Sequence, residues 1–181
     1  MAHLVAAALR DFSQRYFQAY QQRHHHLPSS DELSHMPSPC IEQRSHNSVY
    51  WQPVEREHSA DLQAVEQGIE LSLHSDIAPF YGSQYSGDLP ATWRGHSLTL
   101  LQVWSDDDYL RLQENILGHL VMQRRLKQKP TIFIATTDDE MAVVSICNLT
   151  GNVIRETLGT DQREVLCADV ADFLNQLEPT V

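Results

Sequence analysis

An α+β fold, a single domain whose mostly antiparallel central sheet is covered by helices, is what this sequence predicts. Three observations carry that expectation. Residues 97–136 read as strand, helix and strand. Two β-forming runs, at residues 140–148 and 152–156, flank the tight-turn sequence Leu149-Thr150-Gly151-Asn152. An amphipathic helix lies at either end of the chain.

The opening helix covers residues 1–26. Leu4, Val5, Leu9, Phe12, Tyr16, Phe17 and Tyr20 make an apolar and aromatic stripe, with Arg10, Arg15 and Arg23 off it. His24-His25-His26 ends the helix before Leu27-Pro28. Consecutive side chains on a helix diverge by about 100°, so these histidines do not converge on one metal. Residues 28–39, with three prolines and several serines, read as loop. Ser48 to Gln52 is a short strand ended by Pro53, and a helix from Ser59 to Gly68 uses Leu62, Val65 and Ile69 as its apolar positions. Across residues 70–96 no period dominates. Tyr81 to Asp88 reads there as a glycine-bearing, tyrosine-rich loop, either a binding surface or a packed crossover.

The central unit is the most legible. Ser97 to Trp104 is β-branched and apolar, and Ser105 caps a helix with Asp108 completing a capping-box-like pair. Tyr109, Leu112, Ile116 and Leu120, flanked by Leu110, Leu117 and Val121, give that helix a broad apolar face. Pro130 closes it off, and Thr131 to Ala135 is a second buried strand. Asp106, Asp107 and Asp108 stand at the helix front, and Arg124, Arg125, Lys127 and Lys129 at its back. The helix dipole favours this polarity, so stability alone accounts for it and a functional role needs other support. Farther on, Met141, Val143, Ser145 and Cys147 alternate with Ala142, Val144 and Ile146, which places their strand in mid-sheet. Val170, Phe173, Leu174 and Leu177 define a last helix over residues 168–177.

Hydrophobic residues make up 41% of the 181 and charged ones 20%, enough for a real core and too apolar for a disordered chain. No apolar run approaches the roughly 20 residues that span a bilayer. The apolar start lacks a basic leader and is broken by Arg10-Asp11, so a signal peptide is not expected and the predicted location is cytoplasmic. Cys40, Cys147 and Cys167 form no CxxC pair and read as small buried hydrophobes. The net charge of −11 is uneven. Residues 28–123 hold fourteen acidic and four basic side chains and residues 130–181 nine and two, whereas the charged side chains of residues 124–129 are all basic, four in number. Such a body repels nucleic acid and attracts basic partners, although acidity also serves solubility.

No phosphate loop, GxGxxG, HExxH or GxSxG occurs, so no cofactor is expected. His58, His74, His96 and His119 are scattered, and the aspartate triplet diverges around its helix without a ligand set for a metal. No nucleophile is paired with a base, and no enzymatic activity is expected.

Ser38-Pro39-Cys40-Ile41, Val49-Tyr50-Trp51-Gln52-Pro53, Leu98-Thr99-Leu100-Leu101-Gln102, Gln113-Glu114-Asn115, Gly118-His119-Leu120-Val121, Phe133-Ile134-Ala135-Thr136, Cys147-Asn148-Leu149, Glu156-Thr157-Leu158-Gly159-Thr160 and Phe173-Leu174-Asn175-Gln176-Leu177 follow one another in an order that closely resembles the Syd family, the SecY-interacting proteins of proteobacteria. The resemblance runs nearly end to end. It implies a non-enzymatic cytoplasmic protein, peripheral on the cytoplasmic side of the inner membrane, that binds SecY, the channel subunit of the protein-export translocon, and monitors its complex. Syd is similar in turn to the wider SUKH superfamily, whose α+β members often serve as binding or immunity modules.

Charge joins the two lines of reasoning. Cytosolic loops of membrane proteins are enriched in Lys and Arg, so a partner on that side profits from an acidic surface. Asp61, Glu66, Asp88, Asp106, Asp107, Asp108 and Glu114 are therefore expected to form one electronegative face for SecY loops, with Tyr81 and Tyr85 adding amphipathic contact area. The basic run at residues 124–129 must lie off that face, as a solvated helix end or against lipid headgroups. The alternative function is an immunity-type acidic module that neutralises a basic toxin or nuclease.

Overall fold

The computed structural model describes residues 2–181. Helix α1 (Ala2–His24) ends where His25 enters the left-handed region, at φ 63°. Three short antiparallel strands follow, β1 (Ser29–Ser30), β2 (Ile41–Arg44) and β3 (Val49–Trp51), with β3 in the middle. After β4 (Val54–Glu55) the chain makes an excursion through α2 (Gln63–Ile69) and α3 (Ile77–Gly82), and returns as β5 (Gln84–Tyr85) to pair with β4. The hairpin β6 (Leu89–Trp93) and β7 (His96–Leu100) leads into α4 (Asp106–Arg125). Strands β8 (Thr131–Thr137), β9 (Ala142–Cys147), β10 (Val153–Thr157) and β11 (Arg163–Cys167), then α5 (Val170–Gln176) and β12 (Glu178–Pro179), complete the chain. The main sheet has seven strands in the order β11-β10-β9-β8-β7-β6-β12, all antiparallel, with β9 inside it as its two apolar faces require.

Helix α4 starts as its sequence dictates. Ser105 Oγ accepts the Asp108 N–H at 3.2 Å, and Asp108 Oδ2 reaches back past the cap to accept the Trp104 N–H at 2.9 Å, a capping box shifted by one residue. Tyr109, Ile116 and Leu120 then go into the core, and each such burial contributes ~1.5–3 kcal/mol. The two terminal helices pack on each other. Arg15 of α1 donates to the carbonyls of Leu174 (3.0 Å), which also accepts the Leu177 N–H, and Leu177 (2.7 Å), tying the end of α5 to α1. Trp93 and Phe173, with ring centroids 4.7 Å apart, fasten α5 to β6.

Several elements differ from expectation. The strand foreseen to Trp104 stops at Leu100, because Gln102 N–H turns to Asp88 Oδ1 (2.8 Å) and Val103 C=O to Ser86 N–H (2.9 Å). The second helix begins at Gln63 and not Ser59, since Ala60 is drawn to Gly82 by a backbone bond of 2.9 Å. A Cβ on Gly82 would lie 2.1 Å from the Ala60 carbonyl oxygen, so only glycine permits that approach. The foreseen tyrosine loop is in part helix: residues 77–82 form α3. Strand β6, and with it the hairpin that it makes with the foreseen strand β7, and strand β11 were not legible.

Candidate partner-binding cleft

A cleft of about 580 Å³ opens between the front of α4, the second half of α1 and the segment joining β1 to β2. Its aromatic lining comes from Tyr16 and Tyr20 of α1, Trp51 of β3, Trp104 and Phe133. Trp51 and Trp104 meet edge to face at 5.9 Å. Trp104 is held from three sides: its indole N–H donates to Met36 O at 3.0 Å, its carbonyl accepts from Ser38 Oγ at 2.6 Å, and its backbone N–H goes to Asp108. Gly87 gives Trp51 its place, for a Cβ there would lie 2.7 Å from the indole ring.

Three carboxylates line the cleft, Glu32, Asp88 and Asp108, against one cation, Arg111, which sits 3.5 Å from Asp108. Water reaches Asp88, yet protein crowds it. That crowding pushes its carboxyl up to about 6, the charge of Asp108 pushes the same way, and the Gln102 N–H bond pulls back. Trp51, Trp104 and Tyr16 are only 4%, 3% and 5% exposed and form the floor of the cleft, so the aromatic surface open to a ligand is that of the half-buried Tyr20 and Phe133. Carboxylates beside these rings favour a lysine or arginine side chain, whose charge finds an acid and whose alkyl stem lies along the rings.

The nine residues nominated from the sequence do not form one face. Asp88 and Asp108 meet in the cleft. Asp106 turns to the other side of α4, where its carboxylate accepts from the Tyr85 hydroxyl and lies 3.7 Å from Arg56. Arg56 stacks over the Tyr85 ring at 4.5 Å and stands 5.7 Å from that of Tyr109, whose hydroxyl donates to the Asp61 carbonyl. Asp106 is thus already paired although 81% exposed. Burial and the Asp106 hydrogen bond raise the Tyr85 hydroxyl, with Arg56 opposing. The Asp61 carboxylate is exposed and accepts the Gln63 N–H at the start of α2. Asp107 and Glu114 point outward from α4, exposed. The reason for this division is geometric: successive helix residues are turned by about 100°.

Two nominations are corrected. Tyr81 offers no contact area. It is 1% exposed, because α3 turns it into the core, where its hydroxyl donates to the Phe133 carbonyl. Glu66 is not a free surface charge. It is half-buried, and its carboxylate accepts the Leu73 N–H at 2.8 Å, ordering the turn after α2.

Sequence reading missed Glu32, Trp51, Trp104 and Arg56. Glu32 lies in a stretch that looked like plain loop, and Trp51 and Trp104 are far apart in the chain. Arg56 could have been flagged as an isolated cation in a run of acids, but its aromatic partners are not local. The basic run does lie off the cleft, at the far end of the 20-residue helix, about 30 Å from its front. Among the described residues no group of three or more His, Cys, Asp or Glu side chains is placed to hold a metal, and no helix is long and apolar enough to cross a membrane.

The chain matches the family model for the Syd protein (SUKH-2) over residues 6–179. It is 54% identical over 177 residues to Protein Syd of Aliivibrio fischeri, covering 98% of this chain and 97% of that one. It is 53% identical over 181 residues to Protein Syd of Photobacterium profundum, covering 100% and 98%. Protein Syd of Escherichia fergusonii is 50% identical over 179 residues, with 99% of each chain covered. With a family pattern matched almost from end to end and relatives at these identities, the chain belongs to the Syd (SUKH-2) family.

Proposed function

We propose that this chain is a non-enzymatic cytosolic binding protein that engages basic cytosolic loops of SecY and so monitors assembly of the translocon from the cytoplasmic side of the inner membrane. The observation that carries the reading is the meeting of Glu32, Asp88 and Asp108 in one cleft floored by the buried Trp51 and Trp104. A loop rich in Lys and Arg supplies the complementary side chains. The acidic body around the cleft steers such a loop in and discriminates against anionic partners.

Binding of the purified chain to SecY-containing membranes, against matched membranes depleted of SecY, tests the proposal at low and high salt. SecY-dependent binding that weakens as salt rises supports it. Equal binding to both membranes removes SecY as the partner and brings forward the immunity-type module, for which a basic toxin or nuclease would be the ligand.

A further inference from the structure

The far end of α4 carries a second surface of opposite character. Arg124, Arg125, Lys127 and Lys129 are all exposed, on a chain whose net charge is −11. Among the described residues none of the four is in an ion pair. The helix dipole accounts for Arg124 and Arg125, which lie in the last turn, and Arg124 also donates to the Ile69 carbonyl at 2.7 Å. It does not call for Lys127 and Lys129, which lie past the helix end, Lys127 in the left-handed region at φ 57°. Nor does it explain Met122 and Leu126. These stand one turn apart on the same side of the helix and are 52% and 48% exposed, where large apolar side chains gain nothing from water.

We infer that this end of α4 docks on an anionic lipid surface, with Arg125, Lys127 and Lys129 at the headgroups and Met122 and Leu126 entering the boundary with the acyl chains. Arg124, about 200° round the helix from Met122 and tied to the Ile69 carbonyl, stays off that face. Charge complementarity chooses an anionic occupant, and the two apolar side chains favour a bilayer over nucleic acid, which offers phosphates but no apolar layer at that depth. Two acids lie near this end of the helix: the exposed Glu70, next in sequence to Ile69, and the buried Glu156, which is paired with Arg163 where that residue donates to the Lys129 carbonyl. They weaken the attraction without cancelling three exposed cations. The inference stands without the SecY reading, because the patch lies at the opposite end of the helix from the cleft.

Co-sedimentation of the full chain with phosphatidylcholine vesicles, with and without phosphatidylglycerol, tests it in the absence of any other protein. Binding to the anionic vesicles alone is expected, falling roughly fivefold for each cation removed in Lys127→Gln and Lys129→Gln. Met122→Ser with Leu126→Ser should also weaken it several-fold with all charges in place, whereas Asp88→Asn should not reduce it. Absence of binding, or equal binding to both vesicle types, overturns the inference. So does binding to double-stranded DNA as tight as that to anionic vesicles, which would make the patch a general phosphate site.

Discussion

Asp108 Oδ2 accepts the Trp104 backbone N–H at 2.9 Å, so the carboxylate that faces the cleft also fixes the indole beside it. Its side chain is 34% exposed, enough to meet a partner while holding the helix entrance. Asp108→Ala should therefore lose about 1 kcal/mol of stability, the usual net worth of one such hydrogen bond, and weaken partner binding as well. Asp108→Asn retains an acceptor oxygen, so urea unfolding should barely change while binding still falls.

Asp88 predicts a pH dependence. Its carboxyl is raised from 3.8 to about 6, so the folded chain binds this proton more readily than the unfolded one. This group's contribution to stability therefore falls as pH rises from 3.8 to about 6. Asp88→Asn should remove that slope, measured as the difference between the two proteins in urea midpoint against pH. Partner binding runs the other way. As pH falls through about 6 the Asp88 charge is lost, and affinity for a basic ligand should drop in the wild type more than in Asp88→Asn.

Gly87→Ala should disturb the cleft from below. The added methyl would lie 2.7 Å from a rigid indole, so Trp51 must move or the β5–β6 link must shift. A cost of about 1–3 kcal/mol is expected, with a change in tryptophan fluorescence reporting Trp51.

Phe173→Ala tests the closure of the chain ends. Phe173 is fully buried against Trp93, and its loss should cost ~3–5 kcal/mol in urea unfolding.

How much of this was legible follows from where each signal resides. Helix α4 is local: its cap, its apolar spacing and Pro130 lie within one stretch, and its start was read to the residue. The β6–β7 hairpin was opaque because its turn is Arg94-Gly95, both at positive φ (47° and 84°), without the Asn or Asp that usually marks such a turn. The acidic composition suggested a basic partner, but not which acids the fold brings together. Asp106 and Asp108 are neighbours in sequence and go to opposite sides of a helix, while Asp88 reaches Asp108 only through tertiary folding. Arg56, which occupies Asp106, is visible only in the folded chain.

The sharpest test separates the cleft from the acidity of the chain as a whole. Asp88→Asn with Asp108→Asn removes two charges from the cleft, and Asp107→Asn with Glu114→Gln removes two from the outer side of the same helix. Their affinities for SecY-containing membranes should be compared at one salt concentration. If the cleft is the interface, the first pair should lose about tenfold or more, as expected for charge-assisted contacts, and the second should stay close to wild type. Equal losses from both pairs, or a larger loss from the outer pair, would show that the cleft is not where the partner binds.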